Sequence, residues 1–219
     1  TEKAFDEYHL YSLGRPLTVR NRETKQVEFM RASGVKAPVI YVYDGAAMYG
    51  FFGGQNRDPG YGTQSNTKVW VMREFRNSTE NKLGLPLPKG RMRFYRQDNA
   101  DQSIEFTGEN ELDHTAKNEL IRVKTGEAFD VVGERIRTDF QGQNRQDYAE
   151  EAFEIKVRNR KTEPVAVRVV EHLYRWSNWR IVQQSQESIK KDAQTVEFHV
   201  TVPPDSERIV TYRVRYDWR

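Results

Sequence analysis

The C-terminal stretch Val210-Thr-Tyr-Arg-Val-Arg-Tyr-Asp-Trp218 alternates apolar and polar residues without interruption. Successive side chains of a β-strand point to opposite faces, so this stretch predicts a strand with one buried face and one solvated face. The same period recurs at Val27 with Phe29 and in residues 39–43, 69–75, 121–123, 129–136, 153–157, 165–169 and 196–202. A helical period is nowhere as clear. The sequence therefore predicts an all-β protein with an antiparallel β-sandwich.

Composition limits the class of protein. Of the 219 residues, 37% are hydrophobic and 31% are charged, which suits thin sandwiches whose strands each expose one face. The net charge is only +3, and Arg91, Arg93 and Arg96 alternate with other residues instead of forming a basic cluster. Nucleic-acid binding is therefore not predicted. The chain has no cysteine, which excludes disulfides, thiolate metal sites and a cysteine nucleophile.

The length allows one large domain or two smaller ones. We predict two packed sandwich units, residues 1–125 and residues 126–219, with the boundary near Gly126. The second has the length and strand density of an immunoglobulin-like sandwich. No apolar stretch approaches the roughly 18 residues of a membrane helix, so no span is predicted. Because the chain opens with Thr1, we expect a fragment or processed form that lacks its N-terminus.

One nine-residue pattern occurs twice. Residues 19–27 (VRNRETKQV) resemble residues 157–165 (VRNRKTEPV), and a looser copy begins at Phe75. In each, a strand is expected to end at an asparagine, which tolerates the left-handed conformation and suits a tight corner. The repeat indicates either two related units that share a hairpin or convergence on a favourable turn.

Residues 45–66 interrupt the alternation with a glycine-rich loop that carries aromatic residues. Loops of this length without alternation are often functional. If exposed, Tyr49, Phe51, Phe52 and Tyr61 would form a surface of the kind that binds carbohydrates or proteins. Alternatively, the rings fold back and close an open end of the sandwich, with glycines in the tight turns.

Two tryptophans, Trp176 and Trp179, form a second candidate binding site. Neighbouring indoles can stack on sugars, but in sandwiches a tryptophan more often fills the core between the sheets. Both alternatives stay open for this pair.

No set of residues predicts catalysis or a metal. Asp113-His114 and Glu171-His172 are acid–base neighbours, but adjacent strand residues point to opposite faces and cannot act together directly. No histidine has the spacing of a zinc site, and the acidic stretch 98–105 lacks the spacing of a calcium loop. A hydrolase that uses His114 or His172 with a distant acid is the least favoured hypothesis. We predict no enzyme, no cofactor and no metal.

Several motifs together resemble a known family. They are residues 7–13 (EYHLYSL), 23–27 (ETKQV), 83–90 (LGLPLPKG), 126–131 (GEAFDV) with Glu134-Arg135 and Thr138-Asp139-Phe140, 170–173 (VEHL) and 213–218 (RVRYDW). This set resembles the bacterial "domain of unknown function 4139" family, relatives of the C-terminal part of mucoidy-inhibitor-A-like proteins. The similarity runs in order over essentially the whole chain, and residues 45–66 depart from it as an insertion.

The resemblance implies a C-terminal β-sandwich module of a larger bacterial protein that is periplasmic, secreted or associated with the cell envelope. It implies no activity and no catalytic residue. The function we expect is therefore a structural or protein-interaction module without enzymatic activity, whose partner is a protein or glycan of the envelope. The alternative is carbohydrate binding through the glycine-aromatic loop.

Overall fold

The computed structural model of the protein describes residues 2–6, 8–12, 16–27, 30–46, 54–98, 100–142 and 147–219. Within these ranges the regular structure is β-strand without helix, so the all-β prediction is confirmed. The strands are β1 (Glu2–Phe5), β2 (Tyr8–Tyr11), β3 (Val39–Asp44), β4 (Val69–Arg76), β5 (Gly90–Gln97), β6 (Ile104–Leu112), β7 (Leu120–Glu127), β8 (Val131–Gln141), β9 (Tyr148–Asn159), β10 (Val165–His172), β11 (Trp179–Gln184), β12 (Ile189–Lys190), β13 (Thr195–Val202) and β14 (Ser206–Asp217).

Residue contacts group the chain into two compact units. The first unit comprises Thr1–Pro38 with Arg73–Val123, and the second comprises Val39–Met72 with Lys124–Arg219. The second unit therefore contains β3 and residues 45–66, which the division at residues 125/126 assigns to the N-terminal part.

The second unit is a sandwich of two sheets. The strand order is β12-β13-β10-β3-β4-β7 in one sheet and β11-β14-β9-β8 in the other. Strands β4 and β7 cross the boundary between the units, and only residues 69–72 of β4 and residues 124–127 of β7 belong to the second unit. The four-stranded sheet is antiparallel throughout, whereas β3 runs parallel to β10 in the six-stranded sheet. The sheets share one core, in which Tyr212 of β14 lies 5.3 Å from Phe153 of β9 and 5.5 Å from Phe198 of β13, measured between ring centres. The sandwich prediction is confirmed here.

The first unit has a much smaller core. Its buried apolar residues are Phe75, Leu87, Ile121 and Val123, with partly buried apolar side chains packed around them. Strands β1 and β2 form one antiparallel hairpin and strands β5 and β6 form another. Two-stranded hairpins bury little surface, so this unit has less apolar packing to stabilise it.

A buried asparagine forms the corner between β9 and β10. Asn159 has no exposed surface, and its Oδ1 accepts a hydrogen bond from the Lys161 amide at 3.0 Å. Its Nδ2 donates to the carbonyls of Glu163, Val202 and Pro203 at 2.8, 3.2 and 3.0 Å. One side chain thus satisfies four backbone groups, and the corner role predicted for this asparagine is confirmed.

The other two copies of the repeat differ from each other. Asn77 follows β4, is fully buried, and donates from Nδ2 to the carbonyls of Leu85 and Ala116. Residues 19–27, in contrast, form an exposed turn without a strand, so the strand predicted at Val27 is wrong. Its predicted continuation, Phe29, lies outside the described residues. Strands β9 and β10 lie in different sheets, as do β4 and β5, so Asn159 and Asn77 form corners between sheets and not the shared hairpin that the repeat suggested.

We expect Asn159→Ala to lower the free energy of unfolding by about 2–3 kcal/mol, because it leaves several buried backbone groups without partners. The repeat supplies a matched control: Asn21 holds the corresponding position but is exposed, so Asn21→Ala should change stability by less than about 0.5 kcal/mol. Urea unfolding of both variants measures the difference. Equal losses of stability in the two variants would show that the buried asparagine contributes no more to stability than the exposed one.

Candidate functional site

The two ends of the glycine-aromatic loop are hydrogen-bonded to each other in the second unit. Ala46 forms an isolated antiparallel bridge with Ser65, and the Asn66 amide donates to the Gly45 carbonyl at 3.2 Å. The Asn66 side chain also donates to the Asp44 carbonyl at 2.9 Å. Of the candidate binding residues in this loop, Tyr61 is half-buried, whereas Tyr49, Phe51 and Phe52 lie outside the described residues.

Arg175 holds the described part of this loop, residues 54–66. Its guanidinium is fully buried and binds both carboxylate oxygens of Glu151, from Nε at 2.7 Å and from Nη2 at 2.9 Å. Nη1 donates to the carbonyls of Asn56 and Asp58 at 2.9 and 2.8 Å, and Nη2 donates to the Tyr61 carbonyl at 3.0 Å. All five guanidinium hydrogens are therefore used, three of them on the loop backbone.

A second buried arginine repeats this arrangement. Nε of Arg135 on β8 lies 2.9 Å from each carboxylate oxygen of Glu171 on β10, and Nη1 donates to the Gly62 carbonyl at 2.7 Å. Tyr212 donates its hydroxyl to Glu171 at 2.5 Å, and the Arg135 guanidinium lies 3.9 Å from the centre of the Phe153 ring. The buried charge of Arg135 therefore contacts a carboxylate, a backbone carbonyl and an aromatic ring.

These contacts set the protonation states at the site. Burial opposes the charge of Arg135, but Glu171 and Tyr212 outweigh it and raise the pKa of the guanidinium above its ordinary value. Burial, and then the charge of Glu171, raises the pKa of Tyr212 well above its ordinary value. The phenol and the guanidinium therefore keep their protons over the range in which proteins fold.

A third arginine completes the group. Arg137 donates from Nη1 to Glu151 at 3.3 Å and to the carbonyl of Pro59, and its guanidinium lies over the Phe140 ring. We call Arg135, Arg137, Arg175, Glu151, Glu171 and Tyr212 the arginine cluster. The cavity inside it measures about 10 Å³, enough for one water molecule at most. The cluster has no room for a substrate and instead fixes residues 54–66 against the sandwich.

His172 and Asp44 form a separate pair between neighbouring strands β10 and β3. His172 Nε2 lies 2.9 Å from Asp44 Oδ2, Nδ1 lies 3.5 Å from the Thr195 hydroxyl, and the ring stacks on Tyr174 at 4.9 Å. The order carboxylate, imidazole, hydroxyl is the order of a hydrolase triad. However, Thr195 is buried at 9% exposure, so its hydroxyl is not presented to a substrate.

We expect the His172–Asp44 pair to make stability depend on pH. Burial lowers the pKa of His172, but the hydrogen bond and charge of Asp44 raise it above the ordinary value of 6.5. The protonated form therefore stabilises the folded state below pH 6.5, and this contribution is lost as the pH rises through the folded-state pKa. In urea unfolding of the wild type, the free energy of unfolding should be lower at pH 8.5 than at pH 6. The substitution His172→Gln should make this difference smaller.

His114→Gln, at an exposed histidine whose ring has no carboxylate partner among the described residues, is the matched control for that measurement. It should leave most of the decrease in place. If the free energy of unfolding falls by the same amount between pH 6 and pH 8.5 in the wild type and in His172→Gln, the pH dependence comes from other groups.

A shallow cleft lies beside the anchored loop. Its volume is about 210 Å³, and Tyr61, Tyr174, Gln55, Asn56 and Arg57 line it. Two phenol rings with amide and guanidinium groups provide stacking surfaces and hydrogen-bond donors, the combination that sugars bind.

The two candidate tryptophans do not line this cleft. Both are partly buried and pack against the core of the second unit. Trp179 donates its indole hydrogen to the Ala193 carbonyl at 2.9 Å, and the Lys190 ammonium lies 5.0 Å from its ring centre. The indole nitrogen of Trp176 is buried without a hydrogen-bond partner. Both indoles therefore contribute to packing, and the structure does not bring them to Tyr61.

Within the described ranges, no group of three or more histidine and acidic side chains is placed to hold a metal ion. In those same ranges, no helix has the length and apolar character needed to cross a bilayer. In the acidic stretch, Asp98 and Asp101 lie between β5 and β6 and accept hydrogen bonds from the nearby amides of Ala100 and Ser103.

The arginine cluster was not predicted from the sequence, although a signal was present. Glu151 and Glu171 occupy positions in phase with the buried residues of their strands, such as Phe153 and Val169. A charged residue at a core position of an alternating strand needs a buried partner. The pattern could therefore have indicated buried ion pairs, without showing which residues form them.

Comparison of the chain with known protein families, with curated proteins and with solved structures gives no match.

Proposed function

We propose that the chain is a structural or protein-interaction module without enzymatic activity, belonging to an exported or cell-envelope bacterial protein. One observation supports a module without enzymatic activity. The arginine cluster uses its buried charges to fix residues 54–66, and the cavity inside it measures only about 10 Å³. A catalytic site needs charged groups that a substrate can reach, whereas a rigid binding surface needs an anchored loop. The assignment to the envelope rests on the family resemblance.

Exposed apolar side chains support a role in protein interaction. Phe129, in the turn between β7 and β8, is 94% exposed, and Tyr95 and Phe106 of the β5–β6 hairpin are both more than half exposed. Large exposed aromatic side chains are frequent anchors of protein interfaces. None of these three residues contributes to the buried cores.

A turnover assay with glycan, ester and peptide substrates tests the absence of enzymatic activity. We expect no hydrolysis above the buffer rate. Turnover that His172→Ala abolishes would overturn the proposal and favour a hydrolase built on His172 and Asp44. Turnover that the variant leaves unchanged would also overturn it and would place the chemistry elsewhere in the chain.

Carbohydrate binding is the second candidate, and the cleft at Tyr61 and Tyr174 favours it. A glycan array should then give a signal that Tyr174→Ala removes, because the half-buried Tyr174 ring is one stacking face of the cleft. Tyr95→Ala, at an exposed tyrosine of the other unit, should leave the signal intact. A silent array, or equal signals from both variants, would rule this candidate out.

A further inference from the structure

The first unit contains an open apolar cleft next to its small core. The cleft has a volume of about 650 Å³, and its walls include Met30, Phe75, Leu87, Met92, Phe94 and Leu112. This volume lies in the range of small-molecule sites, roughly 300–1,000 Å³. Two of the four methionines of the chain are in the walls, and methionine adapts well to flexible apolar ligands.

The charged side chains that line the cleft are all basic. No acidic side chain is among the described residues that line it. Arg91 and Arg93 also border it, but their guanidinium groups pair with Glu109 at 3.3 and 3.0 Å. Lys89 at the end of the cleft is exposed, and its ammonium group has no ion-pair partner among the described residues.

A histidine adds a second donor at the same end. The Lys89 amide donates to Nδ1 of His114 at 3.2 Å, which leaves the ring hydrogen on Nε2. His114 lines an adjacent cavity of about 540 Å³ that shares Leu87 and Pro88 with the apolar cleft. No acidic side chain lines this second cavity among the described residues. The apolar cleft therefore has a cation in its lining and a histidine in the cavity that adjoins it.

We propose that the first unit binds a free single-chain amphiphile, with its hydrocarbon chain in the apolar cleft and an anionic head group, such as a carboxylate, at Lys89 and His114. The chain covers apolar side chains that are otherwise in contact with water, and the head group receives a charge-assisted hydrogen bond. This site is independent of the function proposed above.

Calorimetric titration with sodium dodecanoate below its micelle concentration tests the site. We expect saturable binding that weakens about fourfold for each methylene removed in a series down to octanoate. Dodecyltrimethylammonium, which has the same chain and the opposite charge, should bind more weakly. The proposal would be overturned if dodecanoate did not bind or if dodecyltrimethylammonium bound more tightly than dodecanoate. Binding to anionic phospholipid vesicles without binding of dodecanoate would also overturn it.

Two variants separate the chain site from the head-group site. Gly90 shares a strand face with Met92 and Phe94, and a Cβ added there meets no atom within 4 Å, so Gly90→Phe should fill the cleft without a backbone clash. It should abolish binding of every chain length. Lys89→Gln should weaken dodecanoate about tenfold and leave the dependence on chain length unchanged. Lys117→Gln, at an exposed lysine that lines neither the cleft nor the adjacent cavity, should change nothing.

If Gly90→Phe does not fold, Ala32→Glu replaces it, because Ala32 lines the cleft at an exposed position that tolerates a larger side chain. The added carboxylate should weaken dodecanoate and strengthen dodecyltrimethylammonium. Wild-type affinity for both ligands in a folded Ala32→Glu or Gly90→Phe variant would place the ligand elsewhere and overturn the proposal.

Discussion

Arg175→Met should lower the free energy of unfolding by about 4 kcal/mol, the loss typical of breaking a buried ion pair. Among the described residues, Glu151, at 3% exposure, would keep only Arg137 as a charged partner, at 3.3 Å. The carbonyls of Asn56, Asp58 and Tyr61 would lose their donor at the same time. Urea unfolding measures the loss.

A surface arginine provides the control. Arg160 pairs with Asp205 at 2.8 Å, but both side chains are more than half exposed, so Arg160→Met should cost less than about 1 kcal/mol. Both substitutions replace an ion-paired arginine by methionine, so the difference between their effects on stability measures the effect of burial. If the two substitutions cost the same, the buried pair has no special role in stability.

A second variant separates the ion pair from the loop contacts. Adding Glu151→Leu to Arg175→Met removes the unpaired carboxylate and should recover part of the lost stability, because an apolar pair can replace a buried ion pair. The loop carbonyls still lack a donor, so trypsin should cleave after Arg57 faster in both variants than in the wild type. Full recovery of stability together with wild-type resistance to trypsin would show that Arg175 does not anchor the loop.

The strands of the second unit could be predicted because alternation depends on each strand alone. The runs at residues 153–157 and 165–169 lie within β9 and β10, and the run at residues 210–218 lies within β14 except for its last residue, Trp218. The expected faces are buried in all three strands. Pairing between distant strands leaves no such trace in a single sequence. The parallel pairing of β3 with β10, which places Asp44 near His172, was therefore not predictable from the period.

The loop contacts were beyond prediction for a related reason. Arg135 and Arg175 bind the backbone carbonyls of residues 54–66, and a carbonyl is the same in every residue. The side chains of the loop therefore carry no signal of the interaction. Of the four aromatic residues predicted as a surface in this loop, Tyr61 is half-buried with the Arg175 guanidinium 5.5 Å from its ring centre, whereas Tyr49, Phe51 and Phe52 lie outside the described residues.

Gly133→Ala should lower the free energy of unfolding by about 3 kcal/mol, at the upper end of the cost of overpacking a core. A Cβ at this position of β8 would lie 2.2 Å from Cε2 and 2.3 Å from Cδ2 of Tyr43. The ring has little freedom to move, because Tyr43 is fully buried, its hydroxyl donates to the Asn66 carbonyl at 2.7 Å, and a Cβ at Gly45 would lie 2.5 Å from its Cζ. The two glycines thus leave space for the ring.

The control is Gly126→Ala in β7, where an added Cβ meets no atom within 4 Å. This change should be neutral or stabilise by a few tenths of a kcal/mol, since alanine restricts the unfolded chain more than glycine does. The changes in the free energy of unfolding should therefore have opposite signs in the two variants. This difference distinguishes a steric cost at Gly133 from a general intolerance of strand glycines to substitution. A double-mutant cycle with Tyr43→Leu should then show coupling of at least about 1 kcal/mol, because the smaller side chain removes the clash with the new methyl group. Additive losses would mean that the ring of Tyr43 is not what requires glycine at position 133.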